Sequence, residues 1–101
     1  MFSIEQVKNE FIVSLFNSKR LNILIAEKVK NQLMQFLSLP NSIVTLNMSG
    51  IDFVDSASFE MLKDLNEQAK VHNCKFRLMN VNQDVLELIH LVEMEKVLVI
   101  H

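Results

Sequence analysis

The sequence predicts an α/β fold: a single small domain over residues 1–101, with a mixed, mostly parallel four- to five-stranded sheet covered by helices. Three observations carry this. The chain has 101 residues, half of them hydrophobic, which suits one compact domain with a real core. Short runs rich in β-branched and aromatic residues alternate with longer stretches whose apolar residues recur at helical spacing. Strands separated by helices need crossover connections, and those make neighbouring strands parallel.

Each element follows from its residues. Residues 10–16, EFIVSLF, read as a strand, with a short strand before it around 2–6. Asn17-Ser18 is a turn signal. Between Leu21 and Leu39 the series Ile25, Val29, Leu33 and Phe36/Leu37 has helical period, and Pro40-Asn41 stops it. The start of that helix falls somewhere in 18–24. Residues 42–47, SIVTLN, form the next strand, and IDFVD continues as its extended tail or as a loop. From Ser56 to His72, Ala57, Met61, Leu62, Leu65 and Ala69 make one apolar face of an amphipathic helix. Residues 75–81, KFRLMNV, alternate as a strand. A short helix over 83–92 turns Val85, Leu86, Ile89 and Val92 inward, and KVLVI at 96–100 closes the sheet.

Composition narrows the function. A formal charge of −2 and a pI near 5.9 argue against general nucleic-acid binding. With seven Phe and neither Trp nor Tyr, a base-stacking platform is not expected. The single cysteine, Cys74, forms no intrachain disulfide, which fits a reducing cytoplasm. No signal peptide or membrane insertion is expected, because a span needs roughly 20 apolar residues. One glycine cannot build a phosphate-cradling loop, so nucleotide hydrolysis is disfavoured and no cofactor is expected.

The segment around Gly50-Ile51-Asp52-Phe53-Val54-Asp55-Ser56-Ala57-Ser58-Phe59 carries the chemistry. A strand-like run passes the only glycine and empties into acids and serines where a helix starts. Ser and Asp cap helices by accepting from free N–H groups of the first turn, and the same groups attract anions. Two readings follow: capping alone, with Ser56 as the cap, or a site read by a partner or a kinase. Phosphate here would meet repulsion from Asp52 and Asp55 and attraction from the helix dipole. Phe59 is either an exposed anchor for a partner or a staple against Val54 or Phe53.

The run V44-T-L-N-M-S-G-I-D-F-V-D-S-A-S-F-E-M-L resembles the STAS domain, the fold of anti-sigma factor antagonists and of sulfate-transporter tails. The later run K75-F-R-L-M-N-V-N-Q-D-V-L-E-L-I-H-L-V-E-M resembles the family's next strand and helix. The resemblance implies a non-enzymatic bacterial interaction module, regulating transcription through an anti-sigma factor or serine kinase. Its surface would be Gly50, Asp52, Asp55, Ser56, Ala57, Ser58 and Phe59. The family's phosphate acceptor is the second serine of its D-S-S-G motif. Ala57 stands there and Ser58 replaces the glycine, so Ser56 or Ser58 becomes the candidate acceptor. The D-[ST]-A variant also occurs in STAS subunits that bind an ABC transporter ATPase. The family's glycine before the first long helix is replaced by Asn17-Ser18.

Other residues read more simply. His72, His90 and His101 lack the i, i+4 spacing of a helical metal site and read as surface residues. Cys74 reads as a structural thiol. Asp52 and Asp55, three apart in an extended segment, point to opposite faces and make no acid/base pair. An enzyme using Ser56 or Asp55 as nucleophile lacks a visible base. A nucleotide or lipid held at the helix start is a further alternative. Lys19, Arg20, Lys28 and Lys30 read as a solvated face or one basic patch. Exposed apolar residues would suit a homodimer.

Overall fold

A computed structural model describes residues 2–101. Strands β1 (Phe2–Val7) and β2 (Glu10–Leu15) form a hairpin across the two-residue turn Lys8-Asn9, and β3 (Arg20–Leu21) follows. Then come α1 (Ile23–Leu37), β4 (Ile43–Asn47), β5 (Phe53–Val54), α2 (Ser56–Val71), β6 (Lys75–Met79) and α3 (Gln83–Leu91). The main sheet has the order β1-β2-β4-β6. Its β1–β2 pair is antiparallel, whereas β2–β4 and β4–β6 are parallel. The sheet is therefore mixed and mostly parallel, as the alternation of elements predicts.

One face of this sheet is dry. Phe11, Val13, Leu15, Val44, Leu46, Phe76 and Leu78 are all buried. Helix α1 lays Ala26, Val29, Leu33 and Leu37 into the same core, and α2 adds Phe59, Met61, Leu62, Leu65 and Ala69. Phe36 stacks on Phe11 with ring centroids 4.4 Å apart. The period-2 and period-3.6 patterns meet in one contiguous core, which is what makes the sequence specify this arrangement.

Three boundaries differ from the sequence reading. Arg20–Leu21 is a strand and not part of the first helix, because it pairs in parallel with Phe53–Val54 as a separate two-stranded sheet. The expected strand at 96–100 shrinks to a bridge between Ile100 and Leu78. Leu98 is drawn into the core and the N–H groups of Val97 and Leu98 turn back to Met94 O, so the backbone there coils. Val92 lies at the C-cap of α3 and is exposed, because the helix has ended before it.

Left-handed backbone is supplied mostly by asparagine. Asn17, Asn41, Asn73 and Asn80 have φ between 56° and 64°, and Lys8 and Glu93 join them. Asn tolerates this region better than other side chains. Asn17 thus makes the turn before the first long helix where the family resemblance led us to expect glycine. Gly50, at φ 84°, is the exception. A Cβ there would meet nothing closer than Ser18 O at 3.9 Å, so the position needs glycine for its conformation and not for space.

Candidate functional site

Two chain segments arrive side by side at one end of the domain. After β4, Met48 is buried, Ser49-Gly50 turns the chain, and the Asp52 N–H donates to Lys19 O at 2.8 Å. The pairing of β5 with β3 then aligns the starts of α1 and α2. Asn22 caps α1: its Oδ1 accepts from Leu24 N at 3.0 Å and from Ile25 N at 3.3 Å. Asp55 caps α2: its Oδ1 accepts from Ser58 N at 2.8 Å. The capping residue is therefore Asp55, one position before the expected Ser56, because Asp55 is the residue that holds extended backbone outside the helix.

Asp55 does a second job. Its Oδ2 accepts the Ile23 N–H, from the first turn of α1, at 3.0 Å. One carboxylate thus serves the free N–H groups of both helices, where both dipoles are positive. Partial burial pushes the Asp55 carboxyl up, but the Ser58 hydroxyl and N–H and the Ile23 N–H pull it down and prevail, holding it below its ordinary 3.8. The Ser58 hydroxyl contributes only as a nearby dipole. Its Oγ is buried and meets no partner at hydrogen-bond geometry.

The seven expected surface residues divide by depth. Gly50, Asp52 and Ser56 are exposed, Asp55 and Ala57 are half-buried, and Ser58 and Phe59 are buried. Phe59 is 3% exposed and sits in the same cluster as Val54, which corrects the exposed-anchor reading in favour of the staple. Ser58 faces inward at 0% exposure, so a kinase or partner cannot reach its hydroxyl in this conformation. Asp52 bonds through its backbone while Asp55 is engaged by the caps. The four basic residues do not act as one patch. Arg20 lies over the Phe53 ring, 5.6 Å from its centroid, and Lys30 pairs with Asp64 at 3.6 Å.

Sequence reasoning missed the apolar residues that do face out here. Ile23 and Leu24 are 65% and 79% exposed, and Phe53 is 41% exposed. Ile23 also lines a cleft of about 180 Å³ between α1 and α2, with Ala26, Ala57 and Met61 and an edge of charged side chains. For Leu24 the signal was present, since it falls off the stripe Ala26, Val29, Leu33, Leu37; Ile23, three residues before Ala26, gives no such signal. Elsewhere, Cys74 is buried, with its S–H facing the carbonyls of Leu37 and Leu39 at 3.2 and 3.0 Å while the Ser42 hydroxyl donates to Sγ. That is a structural role.

The fold and this paired helix start define a class: small α/β modules whose irregular loops gather at one end of a mixed sheet. The sequence model of the STAS domain matches residues 3–101, and the chain belongs to that family. A STAS-domain anti-sigma-factor antagonist from Planctomyces limnophilus superposes with a TM-score of 0.84 at 16% identity, over 99% of this chain and 87% of that one. The Bacillus cell fate determinant SpoIIAA in its phosphorylated form gives 0.69 at 11% identity, over 100% and 91%. The murine anion transporter Slc26a9 gives 0.69 at 21% identity, covering 85% of this chain and 14% of the transporter. At these identities the likeness is one of fold. A search of proteins with curated function finds no match. Among the described residues, no helix is long and apolar enough to cross a membrane.

Proposed function

We propose that the chain is a non-enzymatic regulatory module that binds a protein partner through the joined starts of α1 and α2. The supporting observation is the exposure of Ile23, Leu24 and Phe53 around a carboxylate that locks both helix starts. Large apolar groups exposed together on a rigid frame mark interaction sites. The partner class is an anti-sigma factor with serine-kinase character, in a bacterial cytoplasm, because similar folds include anti-sigma factor antagonists. If that kinase modifies the chain, Ser56 is its target. Ser56 is exposed on the first turn, whereas Ser58 is buried and Ala57 has no hydroxyl.

A second reading is a STAS subunit regulating a transporter ATPase. It is favoured by the Ala57 variant of the motif and by the likeness to a transporter-borne domain. A nucleotide or lipid ligand has less support, since the Asp55 carboxylate already takes one N–H from each helix start and would repel an anion there.

Affinity capture with wild type beside Leu24→Asp decides the surface. Leu24 lies in the first turn, where an acidic residue suits the dipole, so the variant keeps the fold. Loss of the captured partner in Leu24→Asp supports the proposal. Retained capture overturns it. The identity of the protein, kinase or transporter ATPase, separates the two readings.

A further inference from the structure

Strand β1 is an edge strand six residues long with no proline and a single charged side chain, Glu5. Most natural edge strands are protected by bulges, prolines or several charges. The β1–β2 pairing here runs unbroken from Phe2↔Leu15 to Val7↔Glu10. Ile4 is 41% exposed and Val7 66% exposed.

The hairpin fixes which backbone groups are free. In a two-residue hairpin the residues flanking the turn exchange both hydrogen bonds, and the pattern then alternates. Val7, Glu5 and Ser3 therefore bond to β2, while Gln6, Ile4 and Phe2 aim N–H and C=O outward. An antiparallel partner strand would satisfy this row. We propose that the partner is a second copy of this chain, joined β1 to β1 about a two-fold axis through Ile4.

Register selects this geometry. With Ile4 opposite Ile4 of the second copy, Phe2 faces Gln6, and Ser3 faces Glu5. All three outward residues then pair, giving about six main-chain hydrogen bonds. Centring on Glu5 sets Glu5 against Glu5 of the second copy, which repels. Centring on Ser3 uses only Phe2 and Ile4 and forms about four bonds. The Ile4 register also covers the exposed Ile4 side chains with each other. One strand pair buries less than a standard interface of roughly 1,200–2,000 Å², so the dimer is weak and concentration-dependent. This inference does not rest on the function proposed above and uses none of its residues.

Cysteine cross-linking tests it. Directly opposed residues of a hydrogen-bonded antiparallel pair have Cα atoms about 5.5 Å apart, within disulfide range. Ile4→Cys is expected to give a covalent dimer on mild oxidation. Ser3→Cys, out of register with its own copy, and wild type, with only buried Cys74, are expected to form no covalent dimer. Sedimentation velocity provides the second measurement. Ile4→Pro removes an outward N–H without costing a β2 bond and should abolish the dimer. Ser3→Lys, placed opposite Glu5, should tighten it by roughly threefold to tenfold. A wild type that stays monomeric throughout, equal cross-linking of both cysteine variants, or an Ile4→Pro chain that still dimerises would each overturn the proposal.

Discussion

The Ile23 N–H donates to Asp55 Oδ2 at 3.0 Å, across 32 residues of sequence, and so fixes the start of one helix to the cap of the next. Replacing Asp55 should therefore harm more than one helix. Asp55→Ala is expected to lower stability by about 1–2 kcal/mol, as loss of a cap does, and the second bond places it toward the upper end. Urea denaturation checks this through the midpoint, with the slope unchanged.

The same carboxylate makes stability depend on acid. Its folded pKa lies below the unfolded value near 3.8. A depressed folded pKa means that the native state holds the proton less tightly, so the contribution is complete above pH 3.8. It is lost as pH falls through the folded value. Asp55→Asn should flatten that acid limb relative to wild type. An unchanged limb would place the acid sensitivity elsewhere.

Ser58 should be better removed. A buried hydroxyl without a partner costs about 1–3 kcal/mol, and Ser58→Ala erases it at nearly constant volume; this outweighs the lost pull of the hydroxyl dipole on the solvent-screened Asp55 carboxylate. The variant is expected to melt higher than wild type. A lower melting temperature would show that the hydroxyl is satisfied in solution.

Phe59→Ala should act on the core and not on a partner. At 3% exposure the ring is fully packed, and its loss should cost about 3–5 kcal/mol. Against a total of about 5–15 kcal/mol, that leaves a marginal fold. Lost partner capture by this variant would then report unfolding, so capture should be read together with circular dichroism.

Gly50→Ala separates conformation from space. The nearest obstacle to a new Cβ is 3.9 Å away, yet φ is 84°. A cost of about 1–2 kcal/mol is expected from the left-handed backbone alone.

Much of this was legible from residue patterns. Strand β2, helix α2 and strand β6 follow from periodicity because their buried faces alternate or recur, and central strand β4, with Val44, Thr45 and Leu46 all buried, follows from its short apolar run. The mixed sheet followed from their order. What was not legible depends on contacts across the chain. The two-residue strand Arg20–Leu21 exists only because Phe53–Val54 lies beside it, and no local signal marks so short a pair. Asp55 and Ser56 are both good caps by type; Asp55 takes the role because its backbone stays extended outside the helix, and its second oxygen is held by Ile23, 32 residues away. The depth of Phe59 was equally undecided by sequence, since a first-turn aromatic packs inward or outward according to what the preceding loop covers. Around the candidate site, the motif marks the start of α2, and nothing in it marks the exposed Ile23 and Leu24 on the neighbouring helix.

The asparagines at the turns bear on the state the chain folds from. Glycine at Asn17, Asn41, Asn73 and Asn80 would relax the backbone of the native protein, but it would also widen the range of shapes open to the denatured chain. With one glycine in the whole sequence, the denatured ensemble is comparatively stiff, and less disorder is surrendered on folding. Part of this small domain's stability thus resides in what its unfolded form is prevented from doing.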